Sequence, residues 1–372
     1  MTSVGSVSSF QKKGKSKSIS IPGTRPSIHN SQLLTSTGIP SLDYLLGGGL
    51  PVGSILLVEE DRYDVYSKLF LKYFLAEGVM NKHMLTVASL DISPQSITET
   101  LPAPVDVEPN ETSESFANNP MTIAWRYQNQ KSQPTSFGSN RFSHNYDLTK
   151  VMAREQTFEA NIESWRINSN ESLRNSYWQL LEAIKKRIET GNMSTLDGSP
   201  KTNVLRLGLH SIGSPLWGLE YGFYEKDHKW KNLTTFFYVL RALVRTCYSV
   251  CLVTVPSHLF VDPALILRLQ SMADFVVRLE SFQGSDKETN PVFKDYHGLF
   301  HVVKLAAINS LVPPLLDSVD WVFKLRRHKL TVEKLHLPPD LSDTVSRNQE
   351  DPVRSKTGPT CMGDKLPKHL DF

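Results

Sequence analysis

Residues 36–54 of the chain read Ser-Thr-Gly-Ile-Pro-Ser-Leu-Asp-Tyr-Leu-Leu-Gly-Gly-Gly-Leu-Pro-Val-Gly-Ser. Ser41 can cap a helix of one turn, and Gly47 is placed to terminate it. The two glycines after Gly47 permit a backbone turn that residues with a Cβ atom would resist. A short apolar strand, Ser54–Val58, follows Gly53 directly. The stretch therefore predicts a glycine-rich entry segment that leads into a buried strand.

Outward from this stretch, strand-sized apolar runs alternate with helical repeats. The apolar positions from Tyr66 to Phe74 recur at i, i+3, i+4, i+7 and i+8, which indicates one face of a helix, and Gly78 is placed to end it as a left-handed C-cap. Continuous apolar strands between helices predict an α/β fold with a central, mostly parallel sheet flanked by helices. The last strands lack long helices between them and predict antiparallel edge strands near the C-terminus. The further predicted strands are His83–Ala88, Val204–Leu209, Ser249–Val255, Phe275–Leu279, Leu299–Leu305 and Trp321–Leu325, and the further predicted helices are Leu173–Ile188, Leu233–Val244 and one that begins at Asp262–Pro263.

Composition excludes several classes of protein. The chain has 372 residues, of which 40% are hydrophobic and 21% are charged, so it can bury a core and is neither collagen, a coiled coil nor wholly disordered. No apolar run approaches the ~18 residues that a membrane-spanning helix needs, and no membrane partner is expected. Three cysteines cannot build a disulfide framework and favour a reducing compartment. A net charge of +3 does not by itself argue for nucleic acid.

Composition also divides the chain into segments. Residues 1–30 are rich in serine and basic residues and contain no acid, so we expect a disordered basic tail. Residues 31–336 are expected to form the α/β domain, with a polar, proline-containing insertion at about 93–120. Residues 337–372 are polar and are expected to form a flexible C-terminal tail.

The entry segment resembles that of the RecA/KaiC class of ATPases, in which a similar stretch precedes the first core strand. In that class the strand leads into a phosphate-binding loop with glycines and a lysine. Here it leads into an acidic segment with one arginine, no glycine and no lysine at the required position. We interpret the segment as a degenerate phosphate loop that repels a triphosphate, and we expect its own acids to occupy the anion position at the next helix N-terminus. Its positions are Glu59, Glu60, Asp61, Arg62, Asp64 and Ser67.

A second element of such ATPases is also missing. The strand Val204–Leu209 is followed by His210 and Ser211, at the position where such ATPases need a metal-binding aspartate. We interpret His210 as a hydrogen-bonded residue at the end of the strand. Leu209–Gly213 resembles a serine-hydrolase nucleophile elbow only faintly, because Pro215 prevents a helix directly after the serine. We therefore expect no catalytic, cofactor-binding or metal-ligating residue in this chain, and no nucleotide hydrolysis at its own site.

Basic residues cluster late in the chain. Three interpretations stay open: an arginine that reaches a nucleotide on a neighbouring subunit, contact with RNA phosphates, or a solvated edge strand that charge protects from pairing. The candidates for subunit or RNA contact are Lys304, Lys324, Arg326 and Arg327.

Several segments together are similar to the PAXNEB family. The resemblance covers about residues 33–330, and the segments in combination are much more specific than any one of them. Besides the entry stretch with its acidic continuation, the matching segments are Ile123–Tyr127, Ser143–Lys150, Leu209–Trp217 and Leu299–Leu305.

This resemblance implies a RecA-like, non-catalytic subunit of the Elongator complex. Its partners would be subunits 5 and 6 in a heterohexameric ring, the remaining subunits 1 to 3, and tRNA. The ring would bind tRNA and support modification of the wobble uridine (U34), with the chemistry in another subunit. No cofactor is expected in this chain, ATP at the subunit interfaces of the ring stays open, and a location in cytoplasm and nucleus is implied. Two other functions stay open: an ATPase with an unorthodox phosphate loop, and a stand-alone RNA-binding protein.

Overall fold

A computed structural model describes residues 21–27, 32–105, 142–167, 176–217, 231–309, 316 and 318–336. Within these ranges the strands are β1 (Thr24–Pro26), β2 (Leu33–Thr35), β3 (Leu50–Pro51), β4 (Ile55–Glu59), β5 (Met84–Ala88), β6 (Pro102–Pro104), β7 (Tyr146–Val151), β8 (Ile162–Trp165), β9 (Leu205–Leu209), β10 (Ser249–Val255), β11 (Phe275–Ser281), β12 (Gly298–Lys304), β13 (Trp321–Arg326) and β14 (Lys329–Lys334). The helices are α1 (Pro40–Leu45), α2 (Tyr66–Met80), α3 (Pro94–Glu99), α4 (Arg154–Glu159), α5 (Ser176–Thr190), α6 (Lys231–Arg245), α7 (Pro263–Met272) and α8 (Asp286–Thr289).

Nine strands form one sheet, in the order β14-β13-β12-β11-β4-β10-β9-β5-β8. The six strands from β11 to β8 run parallel, and β12, β13 and β14 extend the sheet in antiparallel fashion. Apolar side chains of α2 pack on one face, and those of α5, α6 and α7 pack on the other. The predicted α/β architecture, with its mostly parallel sheet and antiparallel edge strands, is confirmed.

Some predictions fall outside the described residues. The basic tail of residues 1–30 is described only at 21–27, the polar insertion only as far as residue 105, and the C-terminal tail of residues 337–372 not at all. The segment Ile123–Tyr127 also lies outside these ranges. The described part of the insertion contains α3 and β6. No helix in the described ranges is both long and apolar enough to cross a membrane.

The entry segment folds as a turn organised by Asp43. Its carboxylate accepts hydrogen bonds from the Thr37 amide at 2.7 Å and from the hydroxyls of Ser36 and Thr37. Burial raises the pKa of Asp43 to about 6. The prediction that Ser41 caps α1 is wrong, since Ser41 lies inside the helix and its hydroxyl accepts from the Val332 amide of β14 at 2.9 Å. Gly47 follows the end of α1 with a φ of 85°, as predicted.

The prediction that Gly78 ends α2 is also wrong. The helix continues to Met80, and the left-handed conformation falls on Lys82, with a φ of 55°. Gly78 is buried against the sheet, where a Cβ atom would lie 2.4 Å from Leu85 Cδ2 and 2.9 Å from Arg206 Cδ. The glycine is therefore required by close helix–sheet packing and not by the backbone conformation of a cap.

A group of buried polar side chains lies between α2 and the sheet and is centred on Arg206 of β9. Arg206 is fully buried, and its Nη1 donates to the carbonyl oxygens of Ser36 and Phe74 at 2.9 and 3.2 Å. Its Nε donates to His83 Nδ1 at 2.9 Å. The buried carboxylate of Glu77, which interacts electrostatically with Arg206, accepts hydrogen bonds from Asn81, His144 and Tyr146. This group connects the entry segment, α2 and the central sheet.

His83 is held neutral in this group. Because Arg206 Nε can only donate, His83 Nδ1 accepts, and Nε2 donates to the Pro22 carbonyl at 2.8 Å. Burial, reinforced by the positive charge of Arg206, lowers the pKa of His83 to about 3. The N-terminal segment is thus attached to the core through an imidazole that resists protonation.

We expect His83 to make the protein less stable in mild acid. An unfolded histidine takes up a proton near pH 6.5, whereas the folded one does so only near pH 3, so the free energy of unfolding falls as the pH drops between these values. Over the upper two pH units of this window the loss is about 2 kcal/mol. His83→Gln, which does not titrate, should flatten this part of the profile in urea unfolding. The exposed His258→Gln is the control, and an equally steep profile in both variants would contradict the assignment.

Candidate functional site

The acidic segment lies at the carboxyl edge of the parallel strands, the edge where open α/β sheets bind ligands. Asp61 is buried and its carboxylate faces the first turn of α2. It accepts hydrogen bonds from the amides of Val65, Tyr66 and Ser67 at 3.0, 3.0 and 2.9 Å, and from the Ser67 hydroxyl at 2.9 Å. The helix N-terminus, which would attract a phosphate, thus has a side-chain anion of this chain bound to it, as predicted.

Glu59 contacts the neighbouring strand β11 and helix α7. Its carboxylate is buried and accepts from Arg278 Nε at 2.7 Å and from Gln270 Nε2 at 2.6 Å. These three side chains line an open cavity of about 360 Å³, whose other walls are largely apolar. Val261 and Leu267 line the same cavity and are 95% and 64% exposed.

Glu60 and Asp64 face the ends of β9 and β10. Glu60 accepts from the Thr254 hydroxyl at 2.6 Å, and Asp64 Oδ2 lies 3.0 Å from His210 Nε2. Burial and the nearby charge of Asp64 raise the pKa of Glu60 to about 7. Burial alone would raise the pKa of Asp64 as well, but the hydrogen bond with His210 keeps it below its usual value. Asp64 adopts a φ of 51°, so a non-glycine residue supplies the left-handed turn in this loop.

The remaining positions of the acidic segment are Arg62 and Ser67. Arg62 is exposed, with its guanidinium 5.8 Å from the centre of the Tyr63 ring. The Ser67 hydroxyl lies within hydrogen-bond distance of both Asp61 and Asp64. A triphosphate placed here would meet three carboxylates, each of which costs about 1 to 4 kcal/mol at a separation of 4 Å.

The imidazole ring of His210 has two hydrogen-bond partners among the described residues. Besides Asp64, its ring contacts the Ser89 hydroxyl through Nδ1 at 3.0 Å. Ser211, the serine of the faint elbow resemblance, lies 3.4 Å from Glu60. Between Ser211 and Trp217 the chain forms only a short 3-10 helix, Pro215–Trp217. The prediction of a hydrogen-bonded strand-end histidine is confirmed, and the geometry does not form a nucleophile elbow.

Sequence reasoning missed several partners of the acidic segment. Ser89, Thr254, Gln270 and Arg278 come from distant parts of the chain, and none belongs to a motif. A usable signal did exist for two of them, because Ser89 directly follows β5 and Thr254 lies one residue before the end of β10. Polar residues at the carboxyl ends of parallel strands converge at one edge of the sheet.

Two of the four late basic candidates are engaged inside the fold. Lys304 donates to the carbonyl oxygens of Gln270, Ser271 and Ala273 at the end of α7, at 3.1, 3.0 and 2.6 Å. Lys324 forms an ion pair with Asp295 at 3.2 Å. Lys304 therefore caps a helix and Lys324 supports a neighbouring loop, and both are poorly placed to bind a partner.

Arg326 and Arg327 differ from these lysines. Both are exposed at the turn between β13 and β14, and neither side chain makes a hydrogen bond or ion pair with the part of the chain that the structure describes. Strand β7 contacts this turn through a hydrogen bond from the Leu148 amide to the His328 carbonyl at 2.8 Å. The structure thus leaves a basic turn, defined by Arg326 and Arg327, with both side chains exposed to solvent.

Removing the anion at the start of α2 should destabilise the protein. Asp61→Ala leaves three amides of a buried helix N-terminus without their acceptor, and we expect a loss of about 2 kcal/mol in the free energy of unfolding. The matched control is Asp262→Ala, which removes an exposed N-cap that accepts from one amide of α7 and should cost about 1 kcal/mol or less. Urea unfolding measures both, and an Asp61→Ala loss no larger than the control would contradict the assignment.

Comparisons with known proteins agree with this picture. A profile of the PAXNEB protein family matches residues 17–372. A Danio rerio protein named Elongator complex protein 4 is 45% identical over 392 residues, covering 100% of this chain and 97% of the relative. The Homo sapiens protein of that name is 44% identical over 407 residues, covering 100% and 95%, and that of Drosophila melanogaster is 33% identical over 429 residues, covering 92% and 95%. With a match to the family over nearly its whole length, the chain belongs to the PAXNEB family.

Proposed function

We propose that the chain is a non-catalytic, RecA-like subunit of an Elongator complex. In this proposal it forms a heterohexameric ring with subunits 5 and 6, contacts the remaining subunits 1 to 3, and has no nucleotide site of its own, so that any ATP binds at subunit interfaces of the ring. The ring binds tRNA and supports modification of the wobble uridine (U34), in the cytoplasm and the nucleus. The name of the relatives, Elongator complex protein 4, supports membership of the complex.

One observation carries the non-catalytic part of the proposal. The carboxylate of Asp61 is hydrogen-bonded to the amides at the N-terminus of α2, where a phosphate would otherwise bind. The exposed apolar side chains of Val261 and Leu267 beside Glu59 support a role in assembly, since contact with a partner would remove them from water. The unpaired arginines of the basic turn support contact with a phosphate backbone.

The assembly is tested by co-expression of the full chain with subunits 5 and 6, followed by native mass spectrometry. We expect a hexamer with two copies of each subunit and no ATP hydrolysis by the isolated chain. The rival ATPase function predicts hydrolysis by the monodisperse isolated chain that Asp61→Ala or Glu60→Gln abolishes. Such hydrolysis, or failure of the chain to associate with either subunit, would contradict the proposal.

The basic turn is tested through tRNA binding by the assembled ring. Arg326→Ala/Arg327→Ala should weaken binding and reduce the slope of log K against log salt by about 2, because two phosphate contacts are lost. The charge-matched control, Arg154→Ala/Lys186→Ala, removes two exposed basic residues elsewhere and should leave the slope unchanged. Equal behaviour of both variants would remove the turn from the RNA site, and strong salt-dependent binding by the lone chain would favour a stand-alone RNA-binding protein. If Arg326→Ala/Arg327→Ala lowers nucleotide turnover by the ring and leaves tRNA binding unchanged, the arginines act on a neighbouring subunit.

A further inference from the structure

Glu60, Asp64 and His210 form a group that the proposed assembly function does not use. One donor atom from each residue lies within 4.8 Å of the other two. The three residues come from different elements: the end of β4, the loop before α2, and the end of β9. Two carboxylate oxygens and an imidazole nitrogen are a donor set that first-row divalent metal ions accept.

The contacts of Glu60 point to a ligand that is distinct from the hydrogen bonds within the group. Glu60 is 5% exposed, and its Oε1 is bound by Thr254 at 2.6 Å. Within the described residues, the nearest donor to Oε2 is the Ser211 hydroxyl at 3.4 Å, longer than an ordinary O–H···O hydrogen bond of about 2.5 to 3.0 Å. One oxygen of this buried carboxylate therefore has only a long hydrogen bond among the described residues.

His210 is oriented as a metal-ligating histidine is. Its ring is fully buried, and Nδ1 contacts the Ser89 hydroxyl at 3.0 Å, which directs Nε2 towards Asp64. Ligating histidines usually use their second ring nitrogen in this way.

The charge around the group also favours a cation. Asp61 and Asp91 add two further carboxylates near Glu60 and Asp64, and among the described residues Lys68 forms an ion pair with Asp64 at 3.4 Å.

We propose that Glu60, Asp64 and His210 bind one divalent first-row transition-metal ion, with the chemistry of zinc. The ion replaces the hydrogen bond between Asp64 and His210 and connects the loop before α2 to the end of β9. This departs from the sequence-based expectation that the chain ligates no metal. The proposal is independent of the assembly and of tRNA binding.

The test uses the tag-free full chain, titrated with zinc chloride in a calorimeter and with cobalt chloride in a visible spectrometer. We expect one ion per chain and a rise in melting temperature on binding. Glu60→Gln and Asp64→Asn keep the shape of each side chain and should weaken binding about tenfold or more. The control is Glu280→Gln/His301→Gln, which removes a partly exposed histidine–carboxylate pair with the same 3.0 Å contact and should leave the affinity unchanged.

The results of these titrations either support the metal site or overturn it. Absence of binding at submillimolar metal, or binding that the two variants leave intact, overturns it and leaves a hydrogen-bonded cluster only. If the variants do not fold, X-ray absorption of the wild-type zinc complex decides: one imidazole among oxygen ligands supports the proposal, and a sulfur ligand or several imidazoles overturns it. These readouts are unaffected if the chain is found to act outside an Elongator complex.

Discussion

Replacing Arg206 with leucine is expected to lower the free energy of unfolding by about 3 to 5 kcal/mol. The guanidinium is fully buried, and the substitution leaves the Ser36 and Phe74 carbonyls without this donor. It also leaves the buried carboxylate of Glu77 without the positive charge that helps to keep it ionised. Removal of one member of a buried charged group costs more than a neutral hydrogen bond, because the other charge stays in a medium of low dielectric constant.

The loss is large compared with the stability of a typical domain, about 5 to 15 kcal/mol. We therefore expect a fall of roughly 10 °C in melting temperature for Arg206→Leu. The matched control is Arg268→Leu, at an exposed position of α7 whose side chain makes no hydrogen bond or ion pair with the described residues, and it should change stability by about 0.5 kcal/mol or less. A loss of similar size in both variants would contradict a central role for Arg206.

Gly38→Ala is expected to cost about 3 kcal/mol or more. Gly38 has a φ of 85°, which strains any residue with a Cβ atom. In addition, a Cβ atom there would lie 2.4 Å from the Tyr73 carbonyl oxygen of α2, which belongs to the backbone and cannot rotate away. The entry segment would have to separate from α2.

Gly47 provides an internal comparison for Gly38. It has the same φ of 85°, but a Cβ atom there would meet nothing within 4 Å. Gly47→Ala should therefore show the conformational cost alone, about 1 to 2 kcal/mol. Urea unfolding of both variants separates the two contributions, and equal losses would show that the contact with Tyr73 has no energetic consequence.

Gly38 and Gly47 show which structural features the sequence predicts and which it does not. Gly38 and Gly47 stand in one motif and look equivalent in it, yet only one packs against another helix. The C-cap role predicted for Gly78 is wrong for the same reason. Glycine is required there because Leu85 and Arg206 approach closely, and not because the helix ends there. Local patterns predict local conformation, but they carry no information about which atoms approach from elsewhere in the chain.

The sequence by itself determined the alternation of buried strands with helices, and it determined that acids follow β4 where a phosphate loop would need glycines and a lysine. Both are properties of contiguous residues, since apolar periodicity and charge are read along the chain. Only the tertiary structure decided which residues form hydrogen bonds and ion pairs with those acids. Glu59 is paired with Arg278, 219 residues away, Glu60 with Thr254, 194 residues away, and Asp64 with His210, 146 residues away. Parallel strands bring their carboxyl ends to one edge regardless of their separation in sequence, and this proximity makes a buried, hydrogen-bonded group from residues that no motif connects.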